Sequence, residues 1–402
     1  GFKGNGTDIS IEGGTVYAES GGGSGGTAAI GGGRVEGNGK NIQITGGDIT
    51  LKKAGADDIG IGGKGIEIPV ADTFGGSLTY LDADGNKDTT KTNIEKYGPV
   101  VNGKAVNSLN KDKILNGALR YDPATKILSL NTDAESYIGN LTIYAPNTTV
   151  DLNGGEYSAH QGKLVIEDAA DVTLTSTEAR AIVGNANITC AGKLSITCEN
   201  IAVNGNLTVN HASSVELIGK NDNGGTVTGA AVFNNTGEVT IQNKDATKGA
   251  AHSISYSGNY VYYTADGGAL TDPRITPIAA DASYLHIVPS ELHSITVPEG
   301  CTFKVDGADL STAHAGQPVT VTAPDKGDHF EFAGWTISPD SVTLNNADKL
   351  TATFTMPDGD VKLENSYNQL YDVTVLKGTA TPSFAKEGTE IAIEAAERPG
   401  YR

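Results

Sequence analysis

"KLVIEDAADVTLTS", residues 163–176, holds two short apolar alternations, Leu164 with Ile166 and Val172 with Leu174. Side chains on a strand change face at every residue, so each alternation is a strand with one apolar side. The pattern recurs along the chain. In order, the pairs are Leu141/Ile143 then Val150/Leu152, Leu164/Ile166 then Val172/Leu174, Ile188/Cys190 then Ile196/Cys198, Leu207/Val209 then Val215/Leu217, and Ala231/Phe233 then Val239/Ile241. Looser third segments follow, such as "AIVGN" (181–185), "NIAVNG" (200–205) and "GTVTGA" (225–230). Each unit thus carries three short strands.

Ile166, Cys190, Val209 and Phe233 form one expected inward column, and Leu174, Cys198, Leu217 and Ile241 another. A single unit cannot cover its own apolar face, whereas units stacked in parallel share one interior. The reading is an all-β chain: a parallel β-helix, right-handed by the crossover rule, followed by small β repeat modules. An antiparallel sandwich with strands at a spacing of about 8–12 residues explains the alternation but not the return of a whole three-strand unit.

Composition agrees with a modular chain. At 402 residues it is too long for one ordinary core. Glycine is abundant, with 53 residues, and aromatics make up only 6%, which suits many tight turns between short strands. A net charge of −19 repels phosphate backbones and anionic headgroups, so nucleic acid and membrane insertion are not expected. No apolar run reaches the roughly 18 residues that span a bilayer. Neither an initiator Met nor a secretion signal opens the chain, which reads as a piece of a longer protein.

Six segments are expected. Residues 1–74 are glycine-rich rungs, because "DISIEGGTVYAESGGGSGGTAAIGGG" (8–33) returns as "NIQITGGDITLKKAGADDIGIGG" (41–63), setting Ile9 against Ile42 and Gly13–Gly14 against Gly46–Gly47. Residues 75–97 form a polar hairpin or connector with a turn at Asp84-Gly85. Residues 98–260 are the three-sided coil, and 261–291 a linker. From 292 the language changes. "HSITVPEGCTFKVDG" is echoed by "YDVTVLKGTATPSF", and Val319/Val321 are matched by Ile391/Ile393, giving one repeat over 292–366 and a second over 367–402. The second copy stops at "RPGYR", where Tyr401 corresponds to Phe330.

The segment "FAGWTISPDSVTLNNADKLTATFTMPDGDVKLE" (332–364) resembles the internalin-B-type bacterial repeat, a small β domain with a Trp before one strand and "F-x-MP-x-x-DV" before the last. "VNGKAVNSLNKDKILNGALRYDPATKILSLN" (101–131), followed by Asn- and Thr-rich strands, resembles the opening of β-helix domains described as carbohydrate-binding-like in surface proteins of gut Clostridia. Both resemblances imply an extracellular, cell-wall-associated bacterial protein that is an adhesin or binds glycans. The expected partner is then a polysaccharide or a host glycan or glycoprotein.

Catalytic and metal motifs are sparse. The seven histidines form no HExxH and no paired Cys/His spacing. The glycine runs lack a phosphate-loop Lys-Ser/Thr, and corner glycines at positive φ account for them. No serine sits in a strand–elbow–helix context. Cys190 and Cys198 occupy apolar columns, as buried thiols or as a disulfide; Cys301 opposes Thr379 in the second repeat.

Two candidate sites stand out. Asp82, Asp84, Asn86 and Asp88 alternate as the ligands of a calcium loop do, but Asn93 stands where a closing Glu belongs, so a plain hairpin tip is the alternative. No other cofactor is indicated. Tyr256, Tyr260, Tyr262 and Tyr263 offer stacking faces to sugar rings, or pack at the end of the coil.

Outward positions of the second side read Asp151, Thr173, Thr197, Glu216 and Thr240, with carboxylates scattered and not paired. That disfavours a polysaccharide lyase or hydrolase. It leaves a non-catalytic binding module, or a stalk that holds another domain away from the wall.

Overall fold

The computed structural model describes residues 4–22, 26–33, 37–63, 66–68, 70, 74–131, 137–177, 180–221 and 224–397. Their regular structure is entirely β, with no helix among the described residues. The closing "RPGYR", with the Tyr401 match, lies outside them. Two compact units result. One reaches Ser257 and includes Thr264–Asp266 and Ala279–His286; the other comprises Gly258–Tyr263, Gly267–Ile278 and the chain from Ile287 onward.

In the first unit, Gly6–Ile11 lies parallel to Gly39–Ile44, with Ile9 opposite Ile42 and Ile11 opposite Ile44. Thr15–Glu19, Gly46–Lys52 and Gly75–Leu81 stack likewise, placing Val16, Ile49 and Leu78 in one line and Ala18, Leu51 and Tyr80 in the next. Ile49, Leu51, Leu78 and Tyr80, with Ile61 and Phe74, make a buried core against which Val16 and Ala18 pack. The corner glycines are sterically required: a Cβ on Gly47, where φ is 101°, would meet the Gly14 carbonyl oxygen at 2.8 Å. Stacking continues into 75–81, a stretch read from sequence as connector, because Leu78 and Tyr80 alternate into this core. Only from Asp82 does the chain leave as a hairpin, with Lys87 bridging back to Leu81 and Ile94 to Leu78.

The central stack is opened by antiparallel strands. Leu119–Asp122 pairs with Ile127–Leu130, and Lys96–Val101 pairs with both Lys104–Asn107 and Leu141–Tyr144. Parallel pairing then takes over in three columns. The first holds Leu141–Tyr144, Leu164–Ala169, Ala186–Cys190, Leu207–Asn210 and Val227–Asn234. The second holds Ile127–Leu130, Thr149–Asn153, Val172–Ser176, Lys193–Cys198, Ser214–Gly219 and Glu238–Asn243. Short strands at Tyr137–Ile138, His160–Gln161, Ile182–Val183 and Val203–Asn204 form the third.

The observed register corrects one unit of the sequence reading by two residues. Ile188, not Cys190, stands between Ile166 and Val209, and Ile196, not Cys198, between Leu174 and Leu217. Cys190 instead faces Ala169 beyond a bulge, and Cys198 pairs with Ser176. A slip of two keeps every side chain on its face, so both thiols remain buried and apolar periodicity alone cannot detect it. Ser195 accordingly replaces Thr197 in the outward row.

In the second unit, a sheet ordered Thr312–Ala313, His293–Thr296, Val361–Gln369, Phe330–Ser338 accompanies a three-stranded sheet of Thr302–Val305, Pro318–Thr322 and Thr351–Thr355. Ile295, Val319, Val321, Trp335, Phe354 and Leu363 lie in one buried cluster. Trp335 falls inside a strand, not before one as the resemblance implied, and its Nε1 donates to the carbonyl oxygens of Lys349 and Leu350 at 3.1 and 3.3 Å. Val321 lies between Phe303 and Ala352 and is fully buried. Its counterpart Ile393 has Ala380 across from it on one side and is 66% exposed.

Candidate functional site

The acidic loop does not gather its four candidates. Asp82 Oδ1 accepts the Asn86 amide at 2.8 Å, which makes an Asx-type turn at the hairpin tip. Asp84 and Asn86 are exposed there. Asp88 turns away and is nearly buried. Lys53 Nζ lies 2.8 Å from its Oδ2, and the amide and hydroxyl of Thr90 donate to Oδ1. The Lys53 hydrogen bond, with those from Thr90, lowers the Asp88 pKa to about 2. Its oxygens are committed to protein donors, and no group of three or more His, Cys, Asp or Glu among the described residues is placed to hold a metal. This geometry is that of a hairpin tip.

The four tyrosines are also separated. Tyr256 is half-buried in the first unit, where its hydroxyl donates to the carbonyl oxygens of Thr236 and Gly237. Tyr260, Tyr262 and Tyr263 belong to the second unit. Tyr262 is 1% exposed and donates to the carbonyl oxygens of Thr276 and Pro277, so neither of its ring faces is open to a ligand. Burial pushes the pKa values of Tyr256, Tyr260 and Tyr262 upward. Tyr262 is a packing residue, while Tyr260 and Tyr263 are half-buried.

The outward faces of the stack are more regular than the sequence reading expected. On the first column Asn234 Nδ2 donates to Oδ1 of its register partner Asn210, and Asn210 Nδ2 reaches diagonally to Asn187 Oδ1, each at 3.0 Å. Corners repeat the device through the backbone. Asn185 Oδ1 accepts the Asn206 amide, Asn206 Oδ1 accepts the Ala230 amide, and Asn140 Oδ1 accepts the Lys163 amide. On the second column the row Ser129, Asp151, Thr173, Ser195, Glu216 and Thr240 lies half-buried. Within it Lys193 Nζ reaches Glu216 at 2.6 Å.

The sequence signal for the corner bonds is the Gly-Asn dipeptide at 139–140, 184–185 and 205–206.

Two features mimic catalytic chemistry. His314 Nδ1 lies 3.0 Å from Ser290 Oγ, but it also lies 3.0 Å from the Glu291 carbonyl oxygen, an obligate acceptor. That nitrogen therefore carries its proton and cannot take one from Ser290. The nearby Asp272 is bound by Arg274 and Gln317 rather than by the imidazole, so these residues form a structural network. Cys190 and Cys198 are free and buried; burial, with the Asp171 charge, pushes the Cys190 thiol to about 11. Neither thiol is an accessible nucleophile at neutral pH.

Comparison with known proteins adds one match. Residues 293–370 match the family described as the divergent InlB B-repeat domain. The internalin-B-type repeat expected from "FAGW" and "FTMPDGDV" is thus found. No curated protein and no solved structure matches the chain.

Proposed function

We propose that this chain is a glycan-binding module of a bacterial cell-surface protein, built on a right-handed parallel β-helix, and that it binds a polysaccharide or host glycan without cleaving it. The divergent InlB B-repeat domain over 293–370 suggests a bacterial surface-protein module. An extracellular location and a likeness to carbohydrate-binding β-helix domains belong to this proposal. The observation that carries it is the repeated outward polar surface. Successive strands, about 4.8 Å apart, present Asp151, Thr173, Ser195, Glu216 and Thr240 in one outward row. Such donors and acceptors at a fixed interval match a polymer of hydroxyl-bearing rings.

Hydrolysis is disfavoured by the same register. Asp151 and Glu216 are three strands apart in their row, about 14 Å at the strand spacing. Carboxylate pairs of glycosidases stand roughly 5 to 9.5 Å apart.

A glycan array run with and without calcium, followed by reducing-end and unsaturated-product assays on each hit, tests the proposal. Binding without product is the expected result. Product formation would replace the module with an enzyme, and a blank array would leave a stalk.

A further inference from the structure

The outward row of the second column begins with a residue from outside the repeat. Arg120 pairs with Ser129 across the antiparallel hairpin, and Ser129 pairs with Asp151 in the parallel stack. Arg120 and Asp151 are therefore two strand spacings apart, about 10 Å, with a serine between them. A cleft of about 510 Å³ lies over these three residues, with Ile127 in its wall.

Both charged groups face this cleft with capacity unused. Arg120 Nε donates to Ser129 Oγ at 3.2 Å, and no carboxylate among the described residues lies within ion-pair distance of its guanidinium. The other cation in the cleft, Lys111, is taken by Asp112 at 2.7 Å. Asp151 is half-buried and accepts no hydrogen bond from any described residue, and burial holds its carboxyl above the usual carboxylate range. A half-buried carboxylate without a donor is costly, while the exposed Arg120 guanidinium keeps donors free for a ligand. The two cannot relieve each other across this gap.

We propose that the cleft is a subsite for one ring of a neutral glycan, in which Asp151 accepts from hydroxyls on one edge and the Arg120 guanidinium donates to oxygens on the other. This rests on the glycan-binding reading above and gives it a location. A ring bearing hydroxyls supplies both the donors that Asp151 lacks and the acceptors that Arg120 lacks. An acidic sugar fits poorly, since Asp112, Asp122 and Asp151 outnumber Arg120 and Lys111 in the lining.

Affinity electrophoresis of the whole chain tests this, using gels cast with soluble galactomannan, mixed-linkage β-glucan or polygalacturonate. At least one neutral polymer is expected to retard the protein, and polygalacturonate is not. Arg120→Ala and Asp151→Asn should each weaken that binding at least tenfold, about 1.4 kcal/mol, while Lys304→Ala in the second unit leaves it within about twofold. Arg120 is exposed and Asp151→Asn preserves shape, and unchanged melting of both variants will verify folding. Retardation that survives both substitutions overturns the subsite and leaves the glycan reading standing. Retardation by polygalacturonate alone overturns the neutral class. A protein that no polymer retards overturns the subsite together with the reading beneath it.

Discussion

Gly184→Ala should be among the most damaging single-methyl changes in this protein. Gly184 sits at a corner with φ of 139°, a region that residues with a Cβ rarely enter, and its ideal Cβ would lie 2.2 Å from the Gly162 carbonyl oxygen. Backbone strain of this kind costs about 1–3 kcal/mol. Overpacking adds about 1–3 kcal/mol more. The obstacle is backbone, not a side chain that can swing away, so the rung must lift from its neighbour. Gly205 repeats the contact one rung on, with its own Cβ position 2.4 Å from the Gly184 oxygen, so a shift is passed along the stack. A total of about 2–6 kcal/mol follows.

Gly155→Ala is the internal control. It also has positive φ, 56°, but nothing lies within 4 Å of its Cβ position, so its cost is that of the backbone alone, about 1 kcal/mol. Urea unfolding followed by circular dichroism reports both variants. Fluorescence of Trp335, the sole tryptophan, reports the second unit and should be unchanged. Hydrogen exchange should accelerate at the Gly184 amide, which donates to the Asn204 carbonyl, and at the Gly162 amide, which donates to that of Val183. Equal losses in the two variants would refute the close-stacked corner.

Ile166→Asp should cost more than about 4 kcal/mol, since it puts an unpaired charge at a fully buried site between Ile143 and Ile188, while Thr173→Asp on the outward row, half-buried and opposite Asp151, should cost about 1–2 kcal/mol; thermal melts of the pair check the assignment of faces. His160 lies fully buried in the third column opposite Ile182, and burial, opposed in part by hydrogen bonds at Lys163 and Gly162, lowers its pKa below 6.5. The unfolded chain then binds a proton that the folded one does not. Stability is complete above pH 6.5 and falls below it by at most about 1.4 kcal/mol per pH unit. His160→Val should flatten that slope in a urea series between pH 7 and 5. Asp88→Asn should destabilise at neutral pH and lose its effect as pH falls from 3.8 through about 2, where the wild-type carboxylate is itself protonated. Chelation with EDTA should leave the wild-type melting temperature unchanged, because Lys53 and Thr90 already occupy Asp88.

Much of the stack could be read in advance because its cause is local. Alternation puts Ile166 or Leu217 inward wherever the strand lies, and recurrence says which strands are neighbours. The register of the Ala186–Cys190 rung was misread because "ANITC" carries three inward residues and any two of them fit the pattern. The feature that sets it lay one step upstream. A glycine occurs two residues before the inward residue of each first-column strand, at 139, 162, 184, 205 and 229, ahead of Leu141, Leu164, Ala186, Leu207 and Ala231. Those glycines stack on one another, so they index the rungs where apolar periodicity cannot. The candidate sites fared differently. Alternating acids at 82–88 are compatible with a cation loop in sequence, but Lys53 is 35 residues away from Asp88 and only the stack brings them together. The tyrosines cluster within eight residues, yet they divide between two units, and Tyr262 is consumed by packing.

Repetition itself explains why a chain so legible in fold is so quiet in chemistry. Each rung must satisfy the rung before and after it, so outward Asn side chains spend hydrogen bonds on their neighbours, as Asn210 does with Asn187 and Asn234. A residue in the middle of such a ladder has little capacity left for a ligand. Capacity survives where the pattern breaks, and the second column breaks at its start. There an antiparallel hairpin, which need not obey the repeat, carries Arg120 into the row, and Asp151 faces Ser129 in place of another full rung. That hairpin sets one cation two strands from one unsatisfied carboxylate, across the same cleft. Beside the Asn ladder, whose side chains are spent on one another, Arg120 and Asp151 are where an external hydroxyl has most to gain.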